Sequence, residues 1–239
     1  MYGIHVVEEA LAAGEPLREI RVADERKRDP LLRKIVAEAK ERNIPVRFES
    51  KQFFAQLPFK THQGVVAMAP PFDYASLNDV IGSRKTGHAL FMILDHLTDP
   101  HNVGAIIRTA EVVGADAVIL PERRSAGVNA TVRKAAAGAA AYLPIVRIAN
   151  VNEAIRTLKK AGIWVAGAAA GEGTVPMRQA DFDRDLALVI GAEGGGLAPL
   201  VRRECDYLVS IPMRGRTESL NASVAAAVLL FEVLRQRSH

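Results

Sequence analysis

Hydrophobic and polar positions along residues 1–69 switch repeatedly between helical spacing and strand-like alternation. The pattern predicts helices over residues 6–12, 30–42 and 51–57, and strands over 19–23, 45–48 and 64–68. These elements make a small α/β domain. Pro70 and Pro71 then break the chain, and residues 70–75 read as a linker before a short helix over 77–81 in a mostly polar segment that runs to Gly87. Beyond it the alternation becomes regular, with strands expected over 89–95, 117–120, 144–148, 163–168, 186–190 and 207–211. Helices are expected over 104–113, 130–141, 151–161, 199–204 and 219–235. Several strands are unbroken apolar runs, notably A-L-F-M-I-L and L-A-L-V-I, as required when helices cover both faces of a parallel sheet. Residues 76–239 therefore form a second, larger α/β domain.

Composition changes this picture little. A chain of 239 residues, 49% hydrophobic and 24% charged, is ordinary for globular protein and has room for one large or two modest domains. The formal charge of +4 points to an acidic partner without requiring one. Basic residues cluster at Arg123, Arg124, Arg133 and Lys134, and again at Arg202, Arg203, Arg214 and Arg216. The single cysteine, Cys205, excludes an internal disulfide and reads as a packing residue. No basic segment followed by an apolar one opens the sequence, and the longest apolar runs are too short to span a bilayer, so a cytoplasmic location is expected.

Ligands of parallel α/β sheets bind at the carboxyl ends of the strands, which directs attention to three loops. After Asp95 comes H-L-T-D-P-H-N-V-G-A-I-I-R, where Asn102 and Gly104 open a helix and Arg108 lies one turn in. After Ile190 comes G-A-E-G-G-G-L, whose glycines permit close backbone approach and whose only charge is Glu193. The third is I-P-M-R-G-R-T-E-S-L-N-A-S-V-A, residues 211–225, in which Ser219 and Asn221 stand at N-cap positions of the last helix. Neither G-x-G-x-x-G nor a P-loop lysine is present, which lowers the dinucleotide and nucleoside-triphosphate readings. Asp95, His96, Asp99 and His101 match no familiar metal spacing, and no metal is expected.

Taken together, N-V-G-A-I-I-R, L-V-I-G-A-E-G-G-G and the 211–225 stretch resemble, in this order, the three signature motifs of the SpoU/TrmH family of RNA ribose 2'-O-methyltransferases. D-P-H-N-V-G-A, R-S-A-G-V-N-A-T-V-R-K-A-A-A-G-A-A and F-E-V-L-R-Q-R-S look most like the RlmB-type members, which methylate a guanosine of 23S ribosomal RNA. G-I-H-V-V-E-E-A-L and H-Q-G-V-V-A resemble that group's small ribosomal-protein-like N-terminal domain, which binds the RNA substrate. The resemblance implies an S-adenosylmethionine-binding α/β domain with a C-terminal trefoil knot, working as a homodimer. It places Asn102, Arg108, Glu193, Ser219 and Asn221 at the reacting ribose. Around the cofactor it places Gly167, Gly191, Glu193, Gly196, Ile211, Met213, Gly215, Ser219 and Leu220.

Methyl transfer from a sulfonium is an in-line displacement, so alignment is most of the task. A free guanidinium stays protonated at ordinary pH. Arg108 is therefore expected to hydrogen-bond the ribose hydroxyl or its phosphate and stabilise developing negative charge. RNA recognition is expected from Arg123, Arg124, Asn129, Arg133 and Lys134 together with residues 1–69. The competing readings are the same reaction on transfer RNA or on the ribosomal site of thiostrepton-resistance enzymes, a non-catalytic RNA-binding factor, and a dinucleotide-dependent enzyme.

Overall fold

The computed structural model describes residues 1–12, 14–58, 61–83, 87–192, 194–216 and 219–238. They divide into two compact units, Met1–Phe72 and Asp73–His239.

The first unit runs α1 (Ile4–Ala12), β1 (Glu19–Ala23), α2 (Pro30–Glu41), β2 (Val46–Glu49), α3 (Lys51–Ala55) and β3 (Val65–Met68). Its sheet has the order β2-β1-β3, with β2 parallel and β3 antiparallel to β1. α2 starts where the Asp29 side chain accepts the Leu31 N–H and Pro30 presets the first helical φ. Ile4, Val7 and Leu11 of α1 and Leu32 and Ile35 of α2 are buried with Ile20, Val22 and Val65 of the sheet. The i, i+3, i+4, i+7 spacing of the α1 and α2 residues meets the two-residue period of the strands, which is how so short a segment closes a core.

The second unit contains α4 (Leu77–Gly82), β4 (Leu90–Asp95), α5 (Pro100–Val112), β5 (Ala117–Pro121), α6 (Ala130–Ala136), β6 (Ile145–Ile148), α7 (Val151–Lys160) and β7 (Trp164–Ala168). It continues through β8 (Val175–Pro176), β9 (Leu186–Gly191), α8 (Pro199–Glu204), β10 (Tyr207–Ser210) and α9 (Ala222–Arg237). Seven strands form one parallel sheet in the order β6-β5-β4-β9-β7-β10-β8. All six residues of β4 are buried, because both faces of the sheet are covered. Phe91, Ile93, Ile119 and Val189 pack with Val80 of α4, Ile155 and Leu158 of α7 and Val201 of α8. α5 packs against α6 and α9, and α9 also meets β9. Each large apolar side chain sequestered here contributes roughly 1.5–3 kcal/mol.

The amino edge of this sheet is fastened by carboxylates standing one residue before a strand. Asp116 accepts the Leu90 N–H at 2.8 Å, Asp185 the Ala89 N–H at 2.7 Å and Asp206 the Val165 N–H at 2.8 Å. Each ties the start of its own strand to a neighbour and satisfies an amide that the ladder leaves over. The carboxyl edge, free of that duty, carries the long loops.

The second unit departs from the sequence reading chiefly in four places. α5 begins at Pro100, capped by Asp99, rather than at Gly104. The helix expected over 130–141 stops at Ala136, because Ala137 and Gly138 adopt left-handed backbone, and resumes as a single 3-10 turn. α9 begins at Ala222 and not at Ser219. β8 lies in a stretch read as loop and pairs only with β10 at the sheet edge. Among the described residues, no helix is long and apolar enough to cross a membrane.

Candidate functional site

The strand order reverses beside β4: β5 and β6 follow on one side, while β9, β7, β10 and β8 lie on the other. Such a reversal opens a crevice at the carboxyl edge. A cavity of about 680 Å³ lies there, lined by residues 168–171 and Thr174 after β7, by the glycine loop after β9, by residues 209–213 at the end of β10, and by Ser219, Leu220, Ala222 and Ala225 around the start of α9.

Glycine is required in this loop for close approach. A Cβ on Gly191 would lie 2.2 Å from the carbonyl carbon and oxygen of Gly196 and 2.4 Å from the Leu197 nitrogen, all backbone atoms. The loop folds back upon itself through the Gly196 N–H, which donates to the Ala192 carbonyl at 2.8 Å, with Gly196 at φ +62°. Next to it the cavity is open: a Cβ on Gly194 or Gly195 would meet nothing within 4 Å.

Of the residues expected around a cofactor, Gly191, Gly196, Ile211, Met213, Ser219 and Leu220 line the cavity, whereas Gly167 and Gly215 do not. Gly167 has a packing role instead. A Cβ there would come within 2.7 Å of Leu197 Cδ1 and 2.8 Å of Cys205 Sγ, so its hydrogen leaves space for the segment entering α8. Gly215 is exposed in the turn beyond Met213. Glu193 lies outside the described residues. Residues 168–171 and Thr174 were missed by the sequence reading, although their signal, a small-residue run A-A-A-G following a strand, stands in the chain.

Asn221 is the N-cap of α9: its side-chain oxygen accepts the Ser223 and Val224 N–H groups at 2.9 and 3.3 Å and the Ser223 hydroxyl at 2.6 Å. Its amide nitrogen donates to Asn102 Oδ1 at 3.0 Å. Asn102 sits buried in the first turn of α5. Ser219, read as a second capping position, lies ahead of the helix and faces the cavity. Arg108, two turns into α5 rather than one, is exposed and makes no hydrogen bond or ion pair among the described residues. Gly104 does not open the helix but lets α6 approach: a Cβ there would be 2.5 Å from Ala135 Cβ and 2.6 Å from the Val132 carbonyl oxygen.

At the end of β4, the buried Asp95 carboxylate accepts the Ala198 N–H at 2.7 Å and pairs with His96 Nδ1 at 2.5 Å. It thereby anchors the far end of the glycine loop to the central strand. Burial pushes the Cys205 thiol up to about 12, which makes it inert as a nucleophile. Among the described residues no group of His, Cys, Asp and Glu is arranged to hold a metal.

The basic region follows β5. Arg123, Arg124 and Lys134 are exposed and Arg133 is half-buried. Asn129 caps α6 by accepting the Val132 N–H at 3.0 Å, leaving its amide nitrogen for other partners. The loop before it is held by the Tyr74 hydroxyl, which accepts the Val128 N–H at 2.9 Å.

Residues 89–231 match the model of the SpoU rRNA methylase family, and residues 1–75 match that of the RNA 2'-O ribose methyltransferase substrate-binding domain. The chain belongs to the SpoU methylase family. A Synechocystis relative described as an uncharacterized tRNA/rRNA methyltransferase is 42% identical over 240 residues, 99% of this chain, which spans only 62% of that relative's length. A Staphylococcus aureus protein described as a TrmH family tRNA/rRNA methyltransferase is 40% identical over 237 residues, covering 98% of this chain and 95% of its own. The crystal structure of the SpoU methyltransferase AviRb from Streptomyces viridochromogenes in complex with AdoMet superposes with a TM-score of 0.66 at 26% identity, covering 99% of this chain and 89% of that one. The SpoU domain is thus the seven-stranded unit described above.

Proposed function

We propose that this chain methylates a ribose 2'-hydroxyl of RNA, with S-adenosylmethionine as methyl donor and a guanosine of 23S ribosomal RNA as target. The observation that carries the reading is the meeting of the three family motifs at one edge of the sheet. The glycine loop, residues 211–213, Ser219 and Leu220 wall a single cavity, and Asn221, next along the chain, hydrogen-bonds to Asn102.

The lining fits the cofactor. It consists of backbone, small residues and apolar side chains such as Ile211 and Leu220, with no lysine or arginine among the described lining residues to oppose a sulfonium. The open backbone at Gly194 and Gly195 suits a ligand that needs hydrogen-bonding edges and little steric bulk. Bound there, S-adenosylmethionine supplies an already activated methyl group, so no metal is needed. The residues of this chain have the remaining tasks. The apolar wall excludes water. The Asn102–Asn221 pair fixes the start of α9 against α5, which carries Arg108. Arg108, with no partner among the described residues, is available to the ribose oxygen or its phosphate, where its positive charge stabilises the oxyanion as the proton leaves. Glu193 is proposed to hold Arg108 in place.

Residues 1–69 are proposed to hold RNA phosphates, as are the exposed cations Arg123, Arg124 and Lys134 of the second unit, with Arg133 and Asn129 contributing beside those cations. The reading includes a homodimer and the trefoil threading of the C-terminal segment. Exposed Val224, Phe231 and Leu234 along α9 support the dimer, since a row of apolar side chains on one helix is expensive to leave in water.

The test is methyl transfer from labelled S-adenosylmethionine to ribosomal RNA lacking its natural modifications, followed by nuclease digestion and mass analysis of nucleosides. The expected product is 2'-O-methylguanosine in large-subunit RNA, absent with Arg108→Ala. Label in transfer RNA would move the target, and the absence of S-adenosylmethionine binding would overturn the reading.

A further inference from the structure

A second cavity, of about 380 Å³, opens at the same carboxyl edge of the sheet on the opposite side of β4. It is walled by Pro121 at the end of β5, by the start of α7, and by Pro199 and Leu200 at the start of α8; His96 and Arg123 stand among its lining residues. None of the three family motifs runs through it.

Three features describe what it would hold. Its walls are mostly apolar, and Leu200 leaves 61% of its surface exposed beside Pro199, an apolar ledge against which a flat base can stack. Arg123 is exposed and makes no hydrogen bond or ion pair among the described residues, so its guanidinium is available to an anion. Asn152 Oδ1 is buried without a hydrogen-bond partner, an acceptor that costs free energy unless a donor reaches it. A flat apolar body, an anionic group and an N–H donor are together the parts of a nucleotide. Each of the four RNA bases carries a donor on its pairing edge.

Position agrees with this. Asp95, immediately before His96, pairs in register with Gly191 of the first cavity. β5 and β9 are both neighbours of β4, so the nearest walls of the two cavities stand about two strand spacings, roughly 10 Å, apart. A strand that presents its target ribose to a cofactor held in the first cavity has a nearby nucleotide within reach of the second.

We infer that this cavity holds one unpaired nucleotide of the RNA near the methylated position, its base against Pro199 and Leu200, its phosphate on Arg123 and its base edge donating to Asn152. The inference rests on the RNA-methylation reading and assigns to this site the placing of the strand rather than the choice of base, since any of the four bases can donate to Asn152.

The test uses the full chain and a short single-stranded oligouridylate carrying one 4-thiouridine. Irradiation is expected to crosslink the peptide containing Pro199 and Leu200. Arg123→Ala and Leu200→Glu, both at exposed positions, are each expected to weaken oligonucleotide binding about 10-fold, through loss of a phosphate contact and loss of base stacking respectively. S-adenosylmethionine binding should stay unchanged in both, which reports that the fold is kept. Crosslinks confined to other peptides, or undiminished affinity in both variants, overturn the inference. Methyl transfer measured on the same samples separates the two claims: transfer that persists with the crosslink elsewhere sinks only the cavity assignment. A crosslink in place with no transfer to any RNA sinks the reaction and leaves the cavity standing.

Discussion

Asn221 and Asn102 join through a 3.0 Å side-chain hydrogen bond across 119 residues of sequence. Asn221 does two things with one amide. Its oxygen caps α9 and its nitrogen holds the first turn of α5, so the two helices that frame the proposed reaction centre are fixed by the same side chain.

Those roles separate by substitution. Asn221→Ala removes both and is expected to cost about 1–2 kcal/mol of stability, read as a lower melting temperature. Asn221→Asp keeps an acceptor for the Ser223 and Val224 amides but turns an oxygen toward Asn102 Oδ1. It should fold nearly as stably as the parent chain yet methylate far more slowly. Equal losses in stability and turnover for Asp would mean that capping is the whole of the role.

Arg108 is a different case, because its removal should leave the fold untouched. It is exposed and without partners among the described residues. Arg108→Ala is therefore expected to unfold at the parental temperature, to bind S-adenosylmethionine normally, and to turn over about 100-fold more slowly, the size of effect seen when one donor to a developing oxyanion is removed. Single-turnover methyl transfer at saturating RNA checks it; parental turnover would remove Arg108 from the chemistry.

The glycine loop offers a comparison within a few residues. Gly191→Ala would place a Cβ 2.2 Å from the Gly196 backbone, which cannot yield by rotating a side chain, so a cost of about 1–3 kcal/mol and lost cofactor affinity are expected. Gly195→Ala meets nothing within 4 Å and needs no left-handed backbone, so stability should be unchanged. Because that open space is the proposed cofactor cavity, calorimetry with S-adenosylmethionine should nevertheless show weaker binding for Gly195→Ala. Unaltered affinity would place the ligand away from this loop.

How far the chain discloses this arrangement depends on whether a feature is local. β4 and β9 are legible because a strand buried on both faces must be apolar throughout. The start of α5 is legible at Asp99-Pro100, an acceptor followed by proline at the first helical position, although the pattern read from Asn102 and Gly104 places it four residues later. β8 could not be found, since two residues pairing at one edge give no periodicity. Gly167 shows the limit of motif reasoning. Its glycine answers to Leu197 and Cys205, which approach only once the sheet is assembled. The Asn102–Asn221 bond is likewise a product of topology, and spacing along the chain contains no trace of it.

Glu232 makes stability depend on acid pH. It is buried on α9, and the hydrogen bond from Arg235, with a further one from Gln236, holds its carboxyl down at about 2 from an ordinary 4.5. A depressed acid stabilises the fold fully above its unfolded value and loses that contribution as pH falls through the folded one. Stability should therefore drop between about pH 4.5 and 2, and Glu232→Gln should flatten the slope in that window while being less stable at neutral pH. Denaturant midpoints measured across the window decide it; parallel curves would assign the acid sensitivity to other carboxylates.

Arg237 closes the opposite end of α9. Its guanidinium donates to four carbonyls, those of Phe182 at 3.0 Å, His88 at 2.8 Å, Ala89 at 3.1 Å and Arg184 at 2.6 Å, and its burial lowers its pKa. These carbonyls belong to the segments entering β4 and β9, so one side chain ties the last turn of the chain to the amino edge of the two central strands. No other residue type presents five donors in a planar fork. Arg237→Lys keeps the charge but reaches only part of the set, and Arg237→Met leaves all four carbonyls without it; losses of about 1–2 and 2–4 kcal/mol are expected. Hydrogen exchange should show the difference in place, with faster exchange of the amides of α9 in the Met variant and little change in the 1–72 unit. Uniform acceleration across both units would mean that Arg237 holds up the whole fold rather than the docking of its last helix.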